Sequence, residues 1–84
     1  MQVVNKGEPA QIRCWVDGQP NAQLRWHRRG GQPLLHGSRD DGRGVLHFSS
    51  IDMLHQGDYE CTAYDPTDRS PHVSDPATIT VNKG

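Results

Sequence analysis

Aromatic residues are scarce in this 84-residue chain, with one Phe, two Tyr and two Trp, and hydrophobic residues of all kinds reach only 32 %. A domain of this size hides only roughly 60 % of the surface its unfolded chain exposes, so a core this thin needs a covalent staple. Long apolar runs are missing as well. Nothing approaches the roughly 18 residues of a membrane span, and the N-terminus lacks the basic start and apolar centre of a signal peptide. No sign of charge dominates: nine Lys and Arg face ten Asp and Glu, which argues against nucleic acid as a partner. There is no Gly-rich phosphate loop and no paired serine and histidine in a nucleophile motif, so an enzyme is not expected. Asn-x-Ser/Thr, Ser-Gly and Arg-Gly-Asp are absent too, which removes an N-linked glycan, a glycosaminoglycan attachment point and a simple integrin motif from the reading.

What is present begins with two cysteines, Cys14 and Cys61. They lie too far apart for the close pairing of a zinc site, and an even number favours a disulfide. Bridging them closes a loop of roughly 48 residues, for which the chain-entropy estimate is about 4 kcal/mol. Such a bond belongs to an oxidising compartment and leaves no free thiol. The chain is expected to be one domain, residues 1–84, cut from a longer protein, with Met1 an added start.

Period-two alternation marks the strands. Ile12, Cys14 and Val16 alternate with Gln11, Arg13 and Trp15, and Leu24 and Trp26 with Gln23, Arg25 and His27. Leu46 and Phe48 form another strand; Tyr59, Cys61 and Ala63 alternate with Glu60, Thr62 and Tyr64; Ala77, Ile79 and Val81 close the chain. Turn-rich stretches fall between them, at Asp17–Asn21, Gly30-Gly31 and Asp40–Gly44, and the stretch from Asp65 to Pro76 reads as a long loop. No segment reads as a helix. Composition leaves two all-β architectures open, a two-sheet sandwich and a small barrel.

Cys14, then Trp26 twelve positions on, then Cys61 preceded by Gly57-Asp58-Tyr59-Glu60, resembles the immunoglobulin superfamily over nearly the whole chain. The resemblance implies an all-β, immunoglobulin-like two-sheet Greek-key sandwich with one inter-sheet disulfide. Trp26 would pack on that bond and Tyr59 would form a hydrogen-bonded corner. The short region between the second and third strands, with Gly44-Val45-Leu46-His47-Phe48, is similar to the I-set type. Arg13–Pro20, Leu24-Arg25-Trp26 and Tyr59–Ala63 are similar to the repeated domains of basement-membrane proteoglycans. Three departures stand out: His55 where the family usually has aspartate, the length of the segment after Tyr64, and a start that suggests a truncated first strand. Val81-Asn82-Lys83-Gly84 also repeats Val4-Asn5-Lys6-Gly7, a short echo that hints at a tandem array.

Five histidines, His27, His36, His47, His55 and His72, share no close metal-ligand spacing, and Asp40 with Asp41 or Asp65 with Asp68 offer too few oxygens for calcium. Neither a metal nor any cofactor is expected. Arg25, Arg28 and Arg29 are the candidates for a heparin-like polyanion, although strand parity places Arg25 and His27 on the face of Glu60, where cross-strand pairing would neutralise part of the charge. Parity also turns Trp15 and Tyr64 outward, the residue types enriched at protein interfaces. Asp65, Asp68 and Arg69 on the following loop complete the candidate protein contacts. The expected function is a non-catalytic structural and interaction module of an extracellular-matrix proteoglycan, secreted and monomeric in isolation, whose partners are matrix or cell-surface proteins and which does not insert into membranes. A receptor ectodomain is the alternative, and an intracellular muscle-type spacer is disfavoured because cytosol would forgo the disulfide.

Overall fold

The computed structural model describes residues 1–16, 22–65, 68–74 and 76–83, except the side chains at 65 and 68–71. The strands are β1 (Gln2–Asn5), β2 (Ala10–Arg13), β3 (Gln23–Arg28), β4 (Ser38–Asp40), β5 (Val45–Phe48), β6 (Gly57–Asp65), β7 (Asp68–Val73) and β8 (Ala77–Asn82). One sheet runs β1-β8-β6-β3, with β7 also paired to β6, and the other runs β2-β5-β4. The described residues contain no α-helix, only single 3-10 turns at Arg29–Gly31 and Met53–His55. The sandwich, and not the barrel, is the architecture.

The predicted alternation is what builds the core between the sheets. Ala10 and Ile12 from β2, Leu24 and Trp26 from β3, Leu46 and Phe48 from β5, and Ile79 and Val81 from β8 are all buried. Their neighbours Gln11, Arg13, Gln23 and Arg25 are exposed, as a half-buried strand requires. Cys14 and Cys61 are bonded, with Cα atoms 6.5 Å apart, and tie the two sheets together. Trp26 lies directly opposite Cys61 in the β3–β6 register, on the same inward face.

Tyr59 makes the predicted corner: its hydroxyl donates to the buried carbonyl of His55 at 2.6 Å. His55, the departure from the family pattern, is itself buried at 3 % exposure and fully engaged. Its Nδ1 accepts the Asp52 N–H at 2.9 Å, and Nε2 lies 2.8 Å from the His36 carbonyl, so the ring carries its proton on Nε2. The Asp52 side chain in turn accepts the His55 backbone N–H, closing a capping box around one turn of helix, and also accepts the Met53 N–H. Phe48 packs edge-on against both the His55 and Tyr59 rings.

The segment from Asp65 to Pro76 is not a long loop. Asp68–Val73 forms β7, pairing Val73 with Thr62 and His72 with Ala63. The sequence hid this strand because Asp68-Arg69-Ser70-Pro71-His72-Val73 has no apolar alternation. An edge strand can do without one, and it tolerates a proline because, among the described residues, β7 has a partner strand on one side alone. Part of the echo of Val4–Gly7 in Val81–Gly84 falls on two paired strands. β1 and β8 are parallel neighbours with Val4 opposite Val81 and Asn5 opposite Asn82. The Val and Asn of each copy thus lie side by side, with both valines buried.

Candidate protein-interaction surface

β2 pairs with β5 only, and no described residue pairs with its other side. Cys14 N–H donates to the Gly44 carbonyl on the β5 side. By the alternation of an antiparallel ladder, Gln11 and Arg13 therefore aim their backbone N–H and C=O groups at the open side. Pro9 precedes this edge and the charged Arg13 ends it, both devices that discourage indiscriminate strand pairing.

Trp15 follows directly and is 74 % exposed, so it faces outward as its parity assigns. Beside it a groove of about 130 Å³ opens between the sheets, lined by the disulfide, Trp15, Leu24, Ala63 and the 55 % exposed Val73. Tyr64, 46 % exposed, lies opposite Gln23 on the outer face of the β3–β6 pair, away from this groove. The structure thus separates the two outward aromatics that sequence placed in one class. Asp65, Asp68 and Arg69 have side chains outside the described residues, as does the turn at 17–21. Val73 was missed, since a strand with no apolar period gave no reason to orient it.

The basic candidates are dispersed. Arg29 pairs with Asp58 at 3.3 Å, Arg28 Nε donates to the Pro33 carbonyl at 2.7 Å, and Arg25 is exposed opposite Thr62. His27 stands opposite Glu60 in the β3–β6 ladder, but no ion pair joins the two side chains among the described residues. Its Nε2 lies 2.6 Å from the Thr62 hydroxyl and its Nδ1 3.0 Å from the Arg28 carbonyl, which fixes the ring without a carboxylate. The expected neutralisation of Arg25 and His27 by Glu60 is therefore not made through an ion pair.

The paired aspartates at 40 and 41 serve the turn between β4 and β5, as their spacing implied. Asp40 accepts the Gly42 N–H and, across the sheets, the Trp26 N–H at 2.8 Å. Asp41 accepts the N–H groups of Arg43 and Val45 and faces His47 at 3.5 Å. The Arg43 hydrogen bond, partly opposed by desolvation and reinforced by Val45 and His47, holds the Asp41 carboxyl below the usual carboxylate value. Asp58 is lowered likewise, first by the Thr78 hydroxyl and then, against desolvation, by Arg29. Groups with a depressed folded value stabilise above their unfolded value and lose that contribution as pH falls through the folded one. Stability is expected to decline below about pH 4, and Asp41→Asn is expected to flatten that decline. Urea midpoints measured across an acid pH series check this, and an unchanged pH slope in the variant would refute it.

Comparison with known proteins fits this architecture. The family model described as an immunoglobulin domain matches residues 1–64. The chain is 46 % identical to a basement membrane proteoglycan of Caenorhabditis elegans over 84 residues, covering 98 % of this chain and 2 % of that protein. It is 37 % identical to MAM domain-containing glycosylphosphatidylinositol anchor protein 1 of Homo sapiens over 81 residues, 95 % of this chain and 8 % of that one. Among solved structures, the tandem Ig repeats of Dlar superpose with a TM-score of 0.79 at 20 % identity, covering 99 % of this chain and 44 % of that one. The chain spans only a small fraction of the curated relatives it matches, 2 % and 8 % in these two cases. Disulfide, inward tryptophan, tyrosine corner and two-sheet topology agree with the match, and the chain belongs to the immunoglobulin domain family.

Proposed function

We propose that this domain is a non-catalytic protein-interaction and spacing module of an extracellular, basement-membrane type proteoglycan, monomeric when isolated. The observation that carries the reading is the open β2 edge ending in the exposed Trp15 beside the disulfide-lined groove. An extended segment of a partner protein meets backbone donors and acceptors there, with an apolar slot for one side chain and a large aromatic to pack on. The relative from a basement membrane supports the setting, and a disulfide suits secretion.

A second reading, a domain of a cell-surface protein, is favoured by the 37 % identity to the glycosylphosphatidylinositol anchor protein. The same edge and groove serve either. The test is binding of the oxidised domain to a panel of basement-membrane and cell-surface proteins. Trp15→Ala is expected to weaken the authentic interaction by about 2 kcal/mol, the size of an interface hot spot, and Tyr64→Ala to leave it nearly unchanged. Equal losses in both variants, or none in Trp15→Ala, would move the contact elsewhere.

A further inference from the structure

The arginines of the second sheet differ from those gathered in sequence at 25–29. Arg13 and Arg39 are exposed, and neither makes an ion pair among the described residues. Arg13 donates to the Gln11 amide oxygen. The strand register places Gln11, His47 and Arg39 in one rung across β2, β5 and β4. Arg13 stands two positions beyond Gln11 on the same outward face. With strands about 4.8 Å apart, the rung spans roughly 10 Å, and Arg13 lies about 7 Å further along β2. A shallow open groove of about 430 Å³ runs over this rung, lined among others by Gln11, Arg39 and His47. Asp41 is the acidic group that faces His47, through Oδ2 at 3.5 Å, while its Oδ1 accepts the backbone N–H groups of Arg43 and Val45 and anchors the carboxylate to its own turn at one end of the rung.

We propose that this outward face of the β2-β5-β4 sheet, with Arg13 and Arg39 as its cationic ends, binds a sulfated polysaccharide. The chemistry fits an extended chain whose anionic groups recur at intervals and alternate with hydroxyls. Two separated guanidiniums can each take a sulfate or carboxylate in a forked geometry, while the Gln11 amide and the His47 imidazole between them meet the sugar hydroxyls. The rung has no aromatic platform of the kind on which single-stranded nucleic acid stacks. The choice of polysaccharide over other polyanions rests on the extracellular setting proposed above. The rung groove and the Trp15 groove share no lining residue, and although Gln11 and Arg13 also belong to the β2 edge, Trp15→Ala and Arg39→Gln separate the protein contact from the polysaccharide contact.

The experiment is titration of the oxidised domain with size-defined heparin oligosaccharides near 0.15 M salt, where weak surface attraction is already screened. The double substitution Arg13→Gln with Arg39→Gln is expected to weaken binding at least tenfold. Arg28→Gln with Arg29→Gln is expected to change it less than twofold. All four positions are solvent-facing or part-exposed, and urea unfolding of each variant confirms that the fold is kept. Absence of wild-type binding, equal loss in the two double variants, or no loss in Arg13→Gln with Arg39→Gln would overturn the site. An oligodeoxynucleotide of equal charge that binds as tightly would overturn the polysaccharide class. Failure of the extracellular reading shows separately, as free thiols at Cys14 and Cys61 in natively produced protein.

Discussion

Replacing Cys14 and Cys61 together by alanine is expected to destabilise the domain by about 4 kcal/mol, the loop-closure entropy that the bond removes from the unfolded chain. The bond joins residues 47 apart in sequence, and small domains have only about 5–15 kcal/mol in all. The thermal midpoint is expected to fall by roughly 20 °C. Secondary losses follow from position. Cys61 is buried opposite Trp26, and Cys14 lies half-buried at the groove, so the double variant also opens space beside the indole. Urea denaturation of the wild type with and without a reductant, beside the double variant, measures this. Equal midpoints in oxidised and reduced protein would show that packing alone holds the sandwich.

Gly44→Ala is expected to cost about 3 kcal/mol, although it adds one methyl group. Gly44 sits at φ +103°, and a Cβ there runs into the backbone carbonyl oxygen of Cys14 and stands 3.0 Å from Leu24 Cδ1. The strands cannot part to admit it, because the Gly44 carbonyl accepts from Cys14 N–H at 2.7 Å and from the Trp26 indole N–H at 2.9 Å. One glycine therefore holds the start of β5, the disulfide strand and the buried tryptophan in place. Gly42→Ala is the matched control. Its φ of +75° is also left-handed, yet nothing lies within 4 Å of its added methyl, so about 1 kcal/mol is expected. Chemical denaturation of both variants separates steric collision from backbone strain, and similar losses in the two would remove the collision argument.

Much of this fold was legible because its signals are local. Alternation in Gln11–Val16, Gln23–His27 and Tyr59–Tyr64 assigns each side chain to a face without reference to any partner, and Trp15 is exposed as that count required. The turn chemistry of Asp40 and Asp41 was legible for the same reason, since each aspartate accepts the N–H two residues on and so acts within the turn itself. β7 was not legible. Its pairing is supplied by β6, and nothing in the alternation of its own residues announces it. His55 looked like a defect against the family pattern, because only the fold brings the His36 carbonyl to one ring nitrogen while the local turn brings Asp52 N–H to the other.

The candidate surfaces divide in the same way. The run Arg25, Arg28 and Arg29 is dense in sequence but is scattered by strand geometry, with Arg29 answered by Asp58 from β6. Arg13 and Arg39 are 26 residues apart and gave no sequence signal, yet β5 lies between their strands and brings them to one face. By itself the sequence determined an all-β chain, its inward residues and the outward direction of Trp15, because periodicity is a property of the chain, while the resemblance carried by Cys14, Trp26, Tyr59 and Cys61 implied the sandwich and its disulfide. Which edge lies open, which aromatics share a groove and which cations remain unpaired were decided only by the tertiary structure, because those depend on neighbours that strand pairing delivers from distant parts of the chain.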